Sequence, residues 1–195
     1  MKHLKLSNKD IRGFVAKICR DITNSGWRPD YIVGLVRGGM TPAVMISQYF
    51  DIPMWGLKVS LRDDGETESN CWMAEDAFGY PVQEKFVEDE NDIGAILDAA
   101  GSLLEAGETY KNILIVDDIN DSGATINWVI EDWRSNCLSD DPRWETVWNN
   151  NVRFATVVNN LASKCKVNID YVGLEVNKAE DDVWIDFPWE IWWTE

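Results

Sequence analysis

Apolar residues recur at helical spacing at Ile11, Phe14, Val15 and Ile18 behind Ser7, a suitable cap, which predicts an amphipathic helix ending near Gly26. YIVGLV (Tyr31 to Val36) is instead a short unbroken apolar run, the pattern of a strand buried on both faces. Thr41-Pro42 suits a helix start, with Thr as cap and Pro as first helical residue, so TPAVMISQYF reads as a second helix. MWGLKVSL (Met54 to Leu61) reads as the next strand. The rhythm breaks at 62–93, where acidic RDDGETESN precedes a mixed stretch, and a long loop or insertion is expected there. A helix is expected from about Asp92 to Leu104, with Gly107 as its stop. NILIVDD (Asn112 to Asp118) is the clearest buried strand and leads through INDSGAT into the helix TINWVIEDW. A second insertion, 138–151, precedes the strands RFATVV (Arg153 to Val158) and DYVGLEV (Asp170 to Val176), and the Trp-rich run DDVWIDFPWEIWW closes the pattern. Strands alternating with helices, without repeats or a linker, predict one α/β domain over 1–195 around a mainly parallel twisted sheet flanked by helices.

Composition narrows the partners. A chain of 195 residues that is 45% hydrophobic can bury a substantial core, and 18 basic against 34 acidic residues leave a formal charge of −16. That balance argues against nucleic-acid and anionic-membrane partners, which need clustered Lys and Arg, but not against a small anion. Cys19, Cys71, Cys137 and Cys165 lack CxxC spacing, and the single His3 cannot complete a zinc set. Packed thiols in a reducing compartment are the expectation, with His3 at the surface. MKHLKLSNKD has no apolar stretch of a signal peptide, and no run approaches the roughly 18 residues of a membrane span, so the reading is soluble and cytoplasmic.

Parallel sheets bind ligands beyond the carboxyl ends of their strands, which directs attention to two loops. In ILIVDDINDSGAT, four apolar residues deliver Asp117 and Asp118 to a strand end, where burial costs several kcal/mol unless they hold hydroxyls or a metal. Ser122, Gly123, Ala124 and Thr125 then turn into a helix, and small residues with free N–H groups at a helix start make a phosphate site without basic side chains. An Asp-rich turn capped by Thr125 is the plainer alternative. In LVRGG, Gly38 and Gly39 expose backbone N–H groups and Arg37 adds a charge, although RGG alone is a weak signal. Neither GxxxxGK[ST] nor GxGxxG is present.

The first of these segments closely resembles the phosphoribosyl diphosphate (PRPP) motif of type I phosphoribosyltransferases, a hydrophobic strand, an acidic pair and a D-[ST]-G-x-T loop. The resemblance implies that Asp117 and Asp118 hold the ribose hydroxyls and support Mg²⁺, and that residues 121–125 cradle the 5′-phosphate. It further implies that Asp121 is the acid/base for N7 of a purine, and that Arg37, Gly38 and Gly39 bind pyrophosphate behind an often-cis peptide bond. A second glycine is common where Ala124 stands.

Val183 to Trp189 (VWIDFPW) resembles the base-binding segment of xanthine-guanine phosphoribosyltransferases. By that resemblance Trp184 stacks on the purine and Ile185 reads its edge through the main chain, under a small hood built from the chain's two ends. Relatives carry a lysine after the strand matching Ala155 to Asn159, a donor to the purine 6-oxo group; here Asn160 stands there, with Lys164 nearby. Their flexible loop starts Ser-Tyr, whereas Ser60 is followed by Leu61-Arg62. The expectation is Mg²⁺-dependent transfer of phosphoribosyl from PRPP to a 6-oxopurine in purine salvage, by a homodimer or homotetramer, with Trp189, Trp192 and Trp193 in core or interface. A phosphoribosyltransferase for another base, such as a pyrimidine, and a silent PRPP-binding regulatory protein are the alternatives.

Overall fold

A computed structural model describes residues 2–59, 71–79, 110–136, 143–190 and 192–194 of the chain. The strands are β1 (Lys2–Lys5), β2 (Tyr31–Val36), β3 (Met54–Lys58), β4 (Ile113–Asn120), β5 (Val152–Asn160), β6 (Tyr171–Val176) and β7 (Val183–Asp186). The helices are α1 (Asn8–Asn24), α2 (Met40–Phe50), α3 (Cys71–Phe78), α4 (Ala124–Asn136) and α5 (Trp144–Val147). Five strands form a parallel sheet in the order β3-β2-β4-β5-β6.

Both faces of that sheet are covered, which is why its strands lack an amphipathic alternation. Side chains nevertheless segregate by the two-residue period of a strand. Tyr31, Val33, Leu35, Ile113, Ile115 and Phe154 pack against α3, α4 and α5. Ile32, Leu114, Val116, Ala155 and Val157 face α1 and α2 on the other side. That second core also takes in Val183, Ile185 and Phe187. β7 thus docks beside the main sheet, where it pairs in parallel with β1 in register His3 to Trp184. His3 Nδ1 lies 3.0 Å from Asp186 Oδ2 across this two-stranded hood.

Local signals set most boundaries. Ser7 accepts from the Asp10 N–H at 3.2 Å while the Asp10 carboxylate accepts from the Ser7 N–H at 2.9 Å, a capping box that starts α1. α2 begins earlier than Thr41-Pro42 suggest: its first bond runs from the Ala43 N–H to the Gly39 carbonyl, 3.1 Å, so the glycine loop itself winds into the helix. Two stretches read as insertions contain helices. α3 lies within 62–93 and buries Met73, Ala74, Ala77 and Phe78, and α5 lies within 138–151 and buries Trp144 and Val147. Short helices of this kind are fixed by tertiary burial, not by their own propensity. The helix expected from Asp92 to Leu104 and the segment after Ser60 lie outside the described residues.

Candidate active site

β2, β4, β5 and β6 all end on the same edge of the sheet, and the sequence-predicted residues gather there. The Val36–Arg37 peptide is cis. The loop after it lies against the end of β4 so tightly that a Cβ on Gly38 would collide with the Asp118 carboxylate, and one on Gly39 with the Val116 carbonyl. Backbone cannot give way as a flexible side chain does, so close approach requires glycine at 39, whereas Gly38 faces the Asp118 side chain. Arg37 is exposed beside them.

The acidic pair is strained electrostatically. The Asp118 N–H donates to Asp117 Oδ1 at 2.9 Å. Burial, reinforced by the adjacent Asp118 charge, holds the Asp117 carboxyl well above the ordinary carboxylate range. Burial also raises Asp118, opposed by its hydrogen bond with Asp117 and reinforced by Glu190 from the hood. Two crowded, partly desolvated hard-oxygen donors are a fit for Mg²⁺, which keeps several waters and is commonly held by one or two carboxylates plus substrate phosphates.

Beyond β4, Gly123 adopts φ +87°, and a Cβ there would lie 2.5 Å from the Cys165 nitrogen. The loop is braced from outside: the Lys164 N–H donates to the Ser122 carbonyl (3.1 Å) and Asn127 Nδ2 donates to the Lys164 carbonyl (2.9 Å). The Asn127 N–H donates to the Gly123 carbonyl, opening α4, and the Ala124 N–H donates to Ser122 Oγ at 3.3 Å. Lys164 thus braces the loop with its main chain, and its side chain is exposed. Cys165 and Cys19 are free thiols. Burial lifts the Cys19 thiol to about 11, the state of a packed, unreactive cysteine.

The rest of the edge is made of side chains from separate strands. Trp184 is 46% exposed on β7, while Ile185 is buried and paired with Leu4. Asp121 is exposed and forms an ion pair with Lys178 Nζ at 2.9 Å. Asn160 is buried, and its Nδ2 donates to the Asp121 carbonyl at 2.9 Å. Its Oδ1 accepts from the N–H groups of Ala162 (3.1 Å) and Lys178 (3.0 Å). Lys178 was not foreseen from the sequence; the only signal was its place just beyond the strand DYVGLEV, at the same sheet edge. Trp189 stacks on Phe187 at 4.9 Å within the second core, whereas Trp192 and Trp193 are exposed.

The family model described as a phosphoribosyl transferase domain matches residues 2–192. The chain belongs to the phosphoribosyltransferase family. It is therefore a phosphoribosyltransferase, and its parallel sheet flanked by helices is that family's α/β architecture. It is 23% identical over 197 aligned positions to the hypoxanthine-guanine phosphoribosyltransferase of Schizosaccharomyces pombe, an alignment covering 96% of this chain and 88% of that protein. Its fold is similar to that of a purine phosphoribosyltransferase from Pyrococcus horikoshii, with TM-score 0.58, 20% identity and coverage of 97% and 94% of the two chains. The xanthine-guanine-hypoxanthine phosphoribosyltransferase of Helicobacter pylori gives TM-score 0.58 at 17% identity, covering 98% and 95%. Among the described residues, no helix of this phosphoribosyltransferase is long and apolar enough to cross a membrane.

Proposed function

We propose that this phosphoribosyltransferase moves the 5-phosphoribosyl group of PRPP to a 6-oxopurine in purine salvage, releasing pyrophosphate, with Mg²⁺ as cofactor. One observation carries the reading: the Arg37-Gly38-Gly39 loop is pressed onto the Asp117-Asp118 pair, with the Asp121–Thr125 loop beside it and the exposed Trp184 indole in the hood. The names of the relatives, hypoxanthine-guanine and purine phosphoribosyltransferases, favour the same class of base.

In this reading Asp117 and Asp118 fix the ribose hydroxyls, and residues 121–125 receive the 5′-phosphate on amides at the start of α4. Arg37 and the Gly38 and Gly39 amides stabilise charge on the departing pyrophosphate, and Trp184 and Ile185 bound the base. Asp121 manages the proton at N7 of the purine. Asp117 and Asp118 would hold Mg²⁺, which would supply charge neutralisation for the diphosphate. Positioning does most of the work, since the protein forms no covalent bond to substrate. The exposed Trp192 and Trp193 are suited to contact between copies in a homodimer or homotetramer, which light scattering would reveal.

The test is pyrophosphate release from PRPP and Mg²⁺ with hypoxanthine, guanine, xanthine, uracil and orotate in parallel. Turnover with at least one of the three purines and none with the pyrimidines is expected. Turnover with uracil or orotate alone would reassign the base, and PRPP binding without turnover on any base would leave a regulatory protein.

A further inference from the structure

The amino-terminal edge of the sheet, opposite the edge that carries the acidic pair and the glycine loops, holds a cavity of its own. Its volume is about 470 Å³, the size of a small-molecule site, and Tyr31, Trp55, Trp72, Asp76 and Lys111 line it. Tyr31 opens β2 and Lys111 stands two residues before β4, so both lie at the strand ends remote from Arg37 and Asp117. Trp72 and Asp76 come from α3, inside the 62–93 stretch where the rhythm of strands and helices breaks. The cavity is therefore not a product of the alternating scaffold alone.

Three rings form a corner. Trp55 meets Tyr31 edge-on, with centroids 5.0 Å apart and planes at 85°, and Trp72 lies 5.8 Å from both. Tyr31 is buried, whereas Trp55 and Trp72 remain 45% and 40% exposed. Indoles are mostly withdrawn from water, and these two stand open side by side with their planes inclined at 65°. A flat ring can stack on one and abut the other.

The polar end fixes the sign of the ligand. Asp76 is buried with both carboxylate oxygens engaged: Lys111 Nζ lies 2.8 Å from Oδ1, and the Tyr31 hydroxyl donates to Oδ2 at 3.0 Å. The Lys111 N–H also donates to the Asp76 carbonyl at 2.8 Å, so α3 holds this lysine by main chain and side chain together. The lysine side chain is still 51% exposed, and Asp76 Oδ1 uses one of the three ammonium donors. What faces a ligand is a fixed cation beside open π-faces.

We propose that this cavity binds a flat aromatic ring bearing an anionic group, with the ring against Trp55 and Trp72 and the anion on Lys111. An aromatic carboxylate and a nucleoside monophosphate share that chemistry. A chain with a charge of −16 repels free anions, so affinity comes from stacking combined with one aimed, charge-assisted bond. An anion without a ring is not held. The site is independent of Trp184 and of the proposed transfer reaction.

The test is calorimetric titration of the full chain with 2-naphthoate, adenosine monophosphate, acetate and naphthylmethylammonium. At least one of the two ring anions should bind, and acetate should not. Trp72→Ala and Lys111→Met should each weaken that ring anion by about tenfold or more, whereas Trp184→Ala should leave it within about twofold. If Lys111→Met does not fold because Asp76 is left buried and unpaired, the combination of Asp76→Asn with Lys111→Met is measured in its place. Adenosine monophosphate weakened by these substitutions identifies a nucleotide as the ligand, and naphthoate alone weakened identifies an aromatic acid. Tighter binding of naphthylmethylammonium than of either anion overturns the proposal. So does a failure of both ring anions to bind, or an affinity unchanged in Trp72→Ala.

Discussion

The two halves of the site are built on different principles. The half proposed to take phosphates consists of two short loops, Arg37 to Gly39 and Asp121 to Thr125, in which backbone close approach does the positioning. The half proposed to take the base is a set of side chains at or beyond the ends of β4, β5 and β6, joined by Trp184 from β7 of the separate two-stranded hood. A backbone site tolerates no added bulk but makes little use of side-chain charge. A side-chain site is the reverse: each member can be exchanged for another residue delivered from a neighbouring strand, and selectivity can be altered without disturbing the scaffold. Under the proposed function, backbone amides would let a chain with a charge of −16 accommodate a polyanion.

The sharpest way to break the contrast is to add one methyl group to the phosphate half. Gly123→Ala places a Cβ in a left-handed conformation against the Cys165 backbone, and pyrophosphate release should fall by about 10²-fold or more with a loss of roughly 1–3 kcal/mol in denaturant unfolding. Wild-type-like rates would mean that the loop need not fit so closely. In the base half, Asp121→Asn should lower turnover by about 10²-fold while leaving PRPP affinity largely intact, as single-turnover and binding measurements would show. Trp184→Ala should raise the KM for the base roughly tenfold and leave that for PRPP within about twofold, since stacking on an indole contributes about 1–3 kcal/mol. Equal effects on both substrates would erase the division between the halves.

The smallest expected effect concerns stability. Asp117 and Asp118 have folded-state pKa values raised above 3.8, chiefly by burial, so the folded protein binds protons more tightly than the unfolded chain. Their contribution therefore favours folding at low pH and is lost as pH rises from the unfolded value through the raised folded ones. Asp118→Asn should increase the melting temperature of the metal-free protein near neutral pH and flatten its decline above pH 4, while impairing activity. A melting temperature that falls in the variant would show that the charged pair is not a source of strain. Mg²⁺ with PRPP should produce the opposite trend to removal of the charge, stabilising the wild type more than Asp118→Asn.

Much of the scaffold was legible in the chain. YIVGLV and ILIVDD read as strands covered on both sides, and they are the adjacent strands β2 and β4. The capping box at Ser7 is complete within four residues and needs no tertiary help. The hood strand β1 was not legible, because Lys2–Lys5 carries one half-buried apolar residue and pairs with a strand near the opposite end of the sequence. The helices α3 and α5 were hidden for a related reason: their apolar residues gain their meaning from a core supplied elsewhere.

By itself the sequence determined the alternation of strands and helices, the two glycine-bearing loops and the acidic pair, because each is encoded by neighbours along the chain and acts through local backbone geometry. Tertiary structure alone decided how the base half is arranged. Asn160 bonds the Asp121 carbonyl and the Lys178 N–H, linking the segments after β4 and β6. The lysine beside Asp121 comes from beyond β6 and not from position 164. Parallel strands are joined by crossovers of varying length, so which side chains share an edge follows from register in the sheet and leaves no fixed spacing in the sequence.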